Sequence, residues 1–189
     1  MPPKIKFTKE EIADKAYELV RREGIEQLSA RGLAKELGTS TAPIFTAFRT
    51  IEEVQLNVKQ RAWKLYSSYI DEGLQSETPF KGEGLKYIQF AKYEPSFFKL
   101  LFMYYDMDTT VAGYYPGNSD ASERVLEGVR ASYGLSEEGA KRLYNHLSVY
   151  THGLAVMFAL GRSMFTDKEV SCMLTEVFNA LVRKENQIE

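Results

Sequence analysis

Few side chains in this sequence are equipped to make or break bonds. His146 and His152 are the only two histidines and Cys172 is the single cysteine. Six positions apart on one helix, two imidazoles face different ways and cannot share a metal ion. No His-x-x-Glu-His or Glu-x-x-His spacing, glycine-rich phosphate loop or Gly-x-Ser-x-Gly elbow occurs. A lone thiol forms no disulfide within the chain and offers a metal one ligand at most. The expectation is a protein that is not an enzyme and that carries no metal and no cofactor. His152, beside Gly153, suits either a hydrogen bond at an interface or a polar contact to a ligand.

Binding chemistry is better represented. Thr39, Ser40, Thr41 and Thr46 cluster within eight positions, with Arg31 before them and Arg49 and Thr50 after. Hydroxyls and free backbone amides at the start of a helix suit phosphates and base edges in a DNA major groove. The net charge is −2, but it is unevenly spread. Residues 1–61 hold 11 Lys and Arg against 9 Asp and Glu, whereas the remainder holds 13 against 17. Lys4, Lys6 and Lys9 open the chain without an acid among them. A basic arm, a near-neutral head and an acidic body fit a partner of negative charge only at one end.

These side chains need helices to hold them. Thr8 with Glu11 makes a capping box, and Ile12, Ala16, Leu19 and Val20 then recur at helical spacing as far as Gly24. This predicts a first helix over Lys9 to Glu23. Ser29 caps a second helix that buries Leu33, Ala34 and Leu37 and stops at Gly38. Ser40 is placed to cap a third, with Pro43 confined to its first turn and Ile44 and Phe48 facing inward. Thr50 with Glu53 is a second capping box, opening a long fourth helix to about Gln75. A tight Gly38-Thr39-Ser40 turn between the second and third helices predicts a helix-turn-helix.

Residues 8–56 resemble the DNA-binding head of the TetR family of one-component regulators. The resemblance is carried by Ile12-Ala13-Asp14-Lys15-Ala16, by the run from Gly24 to Gly38, by Phe45 and Phe48, and by Thr50-Ile51-Glu52-Glu53-Val54. It implies DNA contacts from Ser29, Arg31, Thr39, Ser40 and Thr41, and from Phe45, Thr46, Ala47, Arg49 and Thr50, with Lys4 and Lys6 reaching from the arm. Three positions depart from the family pattern. Phe45 stands for a tyrosine, Ala47 for a histidine and Ile51 for a lysine. Each polar group absent removes a phosphate contact and weakens binding at physiological salt.

Beyond Trp63 the aromatic residues accumulate: 20 of 24 lie from that position onward. Ordinary core packing would absorb many of them. The excess predicts an apolar effector pocket formed by Trp63, Phe98, Phe102, Tyr105, Tyr144 and Met157, with His152 as a polar tip. Glu94-Pro95 separates two helices, and residues 106–120, which contain Gly113, Pro116, Gly117 and Asn118, read as a loop and candidate lid. Further helices are predicted over Ala121 to Tyr133, from Ser136 to Gly161, and from Thr166 to about Lys184. The last two resemble the helix pair that dimerises in the TetR family. Leu154 and Phe158, with Val170, Leu174, Val177, Phe178 and Leu181, are the expected dimer contacts.

The sequence thus predicts an all-α chain, with a helix-turn-helix head over 1–56 and a helical effector-binding and dimerisation body over 57–189. No apolar run is long enough to span a bilayer, and Met1-Pro2-Pro3-Lys4 lacks the apolar stretch of a signal peptide, so a cytoplasmic location is expected. Two readings stay open. One is a ligand-responsive repressor acting as a homodimer on operator DNA. The other is a ligand- or partner-binding protein on the same scaffold with weak or lost operator binding.

Overall fold

The computed structural model describes residues 7–104 and 120–188, and every regular element among them is helical. The chain divides into two compact units. The first comprises Met1–Ser67 and Glu94–Tyr104, and the second Ser68–Tyr93 and Tyr105–Glu189.

The first unit begins with α1 (Lys9–Glu23), a 3-10 turn (Ile25–Gln27), α2 (Ala30–Glu36) and α3 (Ala42–Ala47). The Thr8 box forms as expected. The Glu11 amide donates to Thr8 Oγ1 at 3.1 Å, and the Thr8 amide donates to Glu11 Oε2 at 2.7 Å. One face of α1 is buried through Ile12, Ala16, Leu19 and Val20, and it packs on α2 and α3. Ser29 caps α2 by accepting from the Gly32 amide. The turn after α2 closes with paired bonds, from the Thr39 amide to the Ala34 carbonyl and from the Gly38 amide to the Lys35 carbonyl. This geometry needs a left-handed residue at its centre, and Gly38 takes it at φ 63°.

Two caps differ from expectation. Thr41, not Ser40, precedes α3; its backbone is already helical and its side chain makes no cap bond, so α3 starts one residue later than predicted. At α4 (Ile51–Leu74) the Thr50 hydroxyl accepts from the Glu53 amide, but the Glu53 carboxylate reaches past Thr50 to the Arg49 amide at 2.7 Å. The box is therefore opened out by one residue.

The first unit does not end at residue 56. The α4 segment through Ser67 belongs to it, because Val54, Val58, Ala62 and Tyr66 are buried at helical spacing. So does α6 (Pro95–Phe102), which packs against α1. Phe97 and Phe98 on α6 are fully buried, and the Phe97 ring lies 4.6 Å from that of Tyr17.

The second unit holds the end of α4, α5 (Pro79–Tyr93), α7 (Asp120–Tyr133), α8 (Glu137–Ala159) and α9 (Asp167–Ile188). Gly73 and Gly82 let the end of α4 and the start of α5 touch backbone to backbone. A Cβ on Gly73 would fall 2.5 Å from the Gly82 carbonyl oxygen, and one on Gly82 would fall 2.1 Å from that of Gly73. From this contact α5 runs along α8, which also packs against α7 and α9. Ser136 caps α8, and Thr166 with Glu169 forms a complete box on α9. Val129, Leu135, Leu143, Leu147 and Val182 form the apolar centre of this unit.

Among the described residues no helix is long and apolar enough to cross a membrane. Residues 105–119, which hold most of the predicted loop and lid, lie outside the described residues, as do Lys4 and Lys6.

Candidate functional site

Two surfaces merit description, one in each unit. In the first, α3 turns Ile44 and the following Phe48 inward, where both are buried. Its other side is open: Phe45 is 48% exposed, and Ser40, Thr46, Arg49 and Thr50 are exposed beside it. Thr39, Thr41 and Ala47 are half-buried at the same end of the unit. Arg31 is exposed and makes no ion pair among the described residues. The Thr46 hydroxyl donates to the Ala42 carbonyl at 2.9 Å, which leaves its oxygen able to accept. The Ser29 hydroxyl is used in the α2 cap. The surface thus offers hydroxyls, one open aromatic ring and two guanidinium groups.

The second unit holds a half-open cavity of about 800 Å³, within the range of small-molecule sites. Its walls come from α5, α7, α8 and α9. Phe80, Tyr144, Phe178 and Tyr133 form a continuous aromatic lining. Successive ring centroids are 5.9 Å (Phe80 to Tyr144), 5.5 Å (Phe80 to Phe178) and 5.0 Å (Phe178 to Tyr133) apart. Thr151 and Tyr87 add polar atoms. Glu83 also faces this space although it is only 9% exposed. Its Oε1 accepts from the Tyr144 hydroxyl at 3.3 Å. Burial pushes the Glu83 carboxyl above the usual carboxylate range, and the single hydroxyl donor offsets this only in part.

The predicted ligand residues are largely redistributed. Among the described residues of that set, only Tyr144 lines the cavity. Trp63 and Phe102 stack edge-on at 5.5 Å and Phe98 lies 5.1 Å from Phe102; all three belong to the first unit, Phe98 fully buried and the other two half-buried. They were gathered by composition, but Pro95 starts a separate helix that carries Phe98 and Phe102 to α1. Met157 is exposed on α8. His152 does not line the cavity. Its Nδ1 is hydrogen-bonded to the Tyr87 hydroxyl at 2.8 Å, so it orients a wall residue from behind, and burial lowers its pKa. Tyr105 lies outside the described residues.

The predicted dimer contacts need a similar correction. Leu154, Val170 and Leu174 are buried within the single chain, which leaves them no surface to bury again. Phe178 lines the cavity, and Val177 and Leu181 pack against the centre of the unit. Phe158 is half-buried, with the Lys92 ammonium 5.7 Å from its ring centroid. The apolar breadth of α9 reflects neighbours inside the monomer.

Sequence reasoning missed Phe80, Glu83, Tyr87 and Thr151 as cavity residues. A signal was present for the first three. Spaced by three and four, they share one face of α5, and a carboxylate on an otherwise apolar face marks either a buried pair or a site. Among the described residues no cluster of His, Cys, Asp and Glu is arranged to hold a metal ion. No known family model matches this chain, and comparison with characterised proteins finds no similar sequence.

Proposed function

We propose that this chain is a ligand-responsive DNA-binding transcriptional regulator, a repressor released from its operator by a small apolar or aromatic effector. The observation that carries the reading is α3. Its inner side is pinned by Ile44 and Phe48, and its outer side is left uncharged, hydroxyl-bearing and exposed beside Arg31 and Arg49. A helix-turn-helix presents its second helix to the major groove in this way. The resemblance of residues 8–56 to TetR-family heads supports the same assignment. The aromatic cavity of the second unit supplies an effector site of suitable volume.

Such a regulator acts as a homodimer on two half-sites. In place of the buried α9 residues, the exposed face of α8 is the better surface. Val149, Gly153, Met157 and Leu160 follow one another at spacings of four, four and three, and Val149 is 64% exposed. Sedimentation should give a dimer at micromolar concentration and a monomer for Val149→Asp, which would place a charge in an apolar contact.

The second reading, a binding protein on this scaffold without operator affinity, is favoured by the apolar side chains of Phe45, Ala47 and Ile51 where phosphate contacts would be made. Salt-dependent footprinting on DNA flanking the protein's own gene separates the two. Protection that weakens as salt rises supports the regulator. Its absence at low salt removes the operator from the account.

A further inference from the structure

We propose that the cavity of the second unit is built for a cationic ligand, an aromatic amine carried as its ammonium ion, with Glu83 as the counter-charge. This inference rests on the effector-site reading and specifies the chemistry that the site selects.

Among the described residues three glutamates are about nine-tenths buried or more: Glu83, Glu94 and Glu185. Two of them have an arginine. Arg21 holds Glu94 with a bidentate pair at 2.8 and 2.5 Å, and Arg142 donates to Glu185 Oε2 from two nitrogens at 3.1 and 2.7 Å. Glu83 differs from both. Its hydrogen-bond partner among the described residues is the neutral Tyr144 hydroxyl, and it makes no ion pair among them. Lys81 borders the same cavity yet forms no ion pair with Glu83. A buried carboxylate is costly unless a cation and hydrogen bonds compensate it. Where the fold supplies these for Glu94 and Glu185, it leaves Glu83 facing an open space large enough for a ligand.

The walls agree with the charge. Phe80, Tyr133, Tyr144 and Phe178 turn aromatic rings to this cavity, and ring faces attract an ammonium group as well as stacking on an aromatic body. The carboxylate would take the ammonium protons in charge-assisted hydrogen bonds, and the rings would take the apolar remainder. An anionic ligand would meet Glu83 with repulsion. A purely hydrocarbon ligand would leave the carboxylate buried without a partner. Burial has already pushed the Glu83 carboxyl upward, and an incoming cation would restore its ionised form.

The test uses a matched pair of probes on the full chain at pH 7.5: 1-naphthylmethylammonium, and the uncharged 1-naphthylmethanol of nearly the same shape. Calorimetric titration should give the ammonium about tenfold tighter binding or more, the span expected of a hydrogen bond to a charged group. In Glu83→Gln, which keeps the shape and one acceptor but removes the charge, that preference should collapse towards unity. A cooperative thermal transition confirms that the variant is folded. Equal binding of both probes by the unaltered protein, or a preference that survives in Glu83→Gln, overturns the assignment of Glu83 and leaves the effector cavity standing. If neither probe binds the unaltered protein, the effector-site reading falls and this inference falls with it.

Discussion

In the first unit, Trp63, Tyr66, Phe98 and Phe102 pack ring on ring, Tyr17 packs on Phe97, and Arg21 pairs with the buried Glu94. In the second, Phe80, Tyr133, Tyr144 and Phe178 ring a cavity, and Glu83 meets a tyrosine hydroxyl instead of an arginine. The residue types are nearly the same. What differs is whether helix packing brings the rings into contact and whether the fold supplies the counter-charge. Aromatic content therefore does not mark a ligand site by itself. A buried charge with its partner built in is structural, and one left facing a cavity is available for binding.

The largest effect should come from emptying the closed cluster. Phe98→Ala removes a fully buried ring and should cost about 3–5 kcal/mol, close to the whole stability of a marginal domain. Phe178→Ala removes a ring that already faces open space, so it should cost about 1–2 kcal/mol. Denaturation in urea measures both. Equal losses would erase the distinction between a packed cluster and a cavity wall.

Next in size is the counter-charge. Arg21→Ala leaves Glu94 buried and unpaired. Breaking a buried pair costs about 3–5 kcal/mol, but the Arg21 side chain is 48% exposed and water takes over part of its role. We expect a loss of about 2 kcal/mol in the same titration, with much of it recovered when Glu94→Gln is added. If Arg21→Ala is neutral, Glu94 does not depend on its arginine, and the contrast with Glu83 loses its basis.

A third effect is read on DNA rather than on stability. In the proposed dimer, Ile51→Lys would place a cation at the first position of α4 in each protomer. It should steepen the salt dependence of operator binding by about 2 in the log–log slope, on the basis of one phosphate per protomer. Arg31→Ala should weaken binding to all sequences alike, whereas Thr46→Ala should alter base preference. Anisotropy titrations that give unchanged slopes and affinities for Ile51→Lys and Arg31→Ala would favour the reading without operator binding.

How much of this the sequence disclosed depends on the range of the interactions involved. The Thr8, Ser29, Ser136 and Thr166 caps involve residues three apart, so local spacing identified them correctly. Ser40 failed as a cap because the paired bonds around Gly38 carry the chain one residue further before α3 begins. Trp63, Phe98 and Phe102 were assigned to a pocket because they are aromatic and lie beyond the head. Their true setting depends on α6 packing against α1, across some seventy residues of sequence, and no periodicity reports that. Likewise the apolar positions of α9 do not say whether the neighbour is another helix of the same chain or a second chain. Leu154, Val170 and Leu174 were satisfied within the monomer. Glu83 was legible as an exception on the α5 face, but its lack of an arginine could be known only once Arg21 and Arg142 were placed elsewhere.

The smallest effect concerns Glu83 itself and follows from the sign of its shift. Its carboxyl is pushed above the ordinary value of 4.5 by burial, so the folded protein holds the proton more tightly than the unfolded chain does. The stability linked to that proton is fully present below pH 4.5 and is lost as the pH rises through the folded value. Glutamine carries no titrating proton and escapes this loss. Glu83→Gln should therefore unfold at a higher temperature than the unaltered protein at pH 8, with the gap narrowing towards pH 4. Glu185→Gln should instead be destabilising, because Arg142 loses its salt-bridge partner in the variant. Saturating 1-naphthylmethylammonium should then reverse the order for Glu83 alone, since only the unaltered carboxylate gains a cation by binding it. A gap for Glu83→Gln that stays constant from pH 4 to pH 8 would mean the carboxyl is not held above its ordinary range. Glu83 would then be as comfortably buried as Glu94 and Glu185.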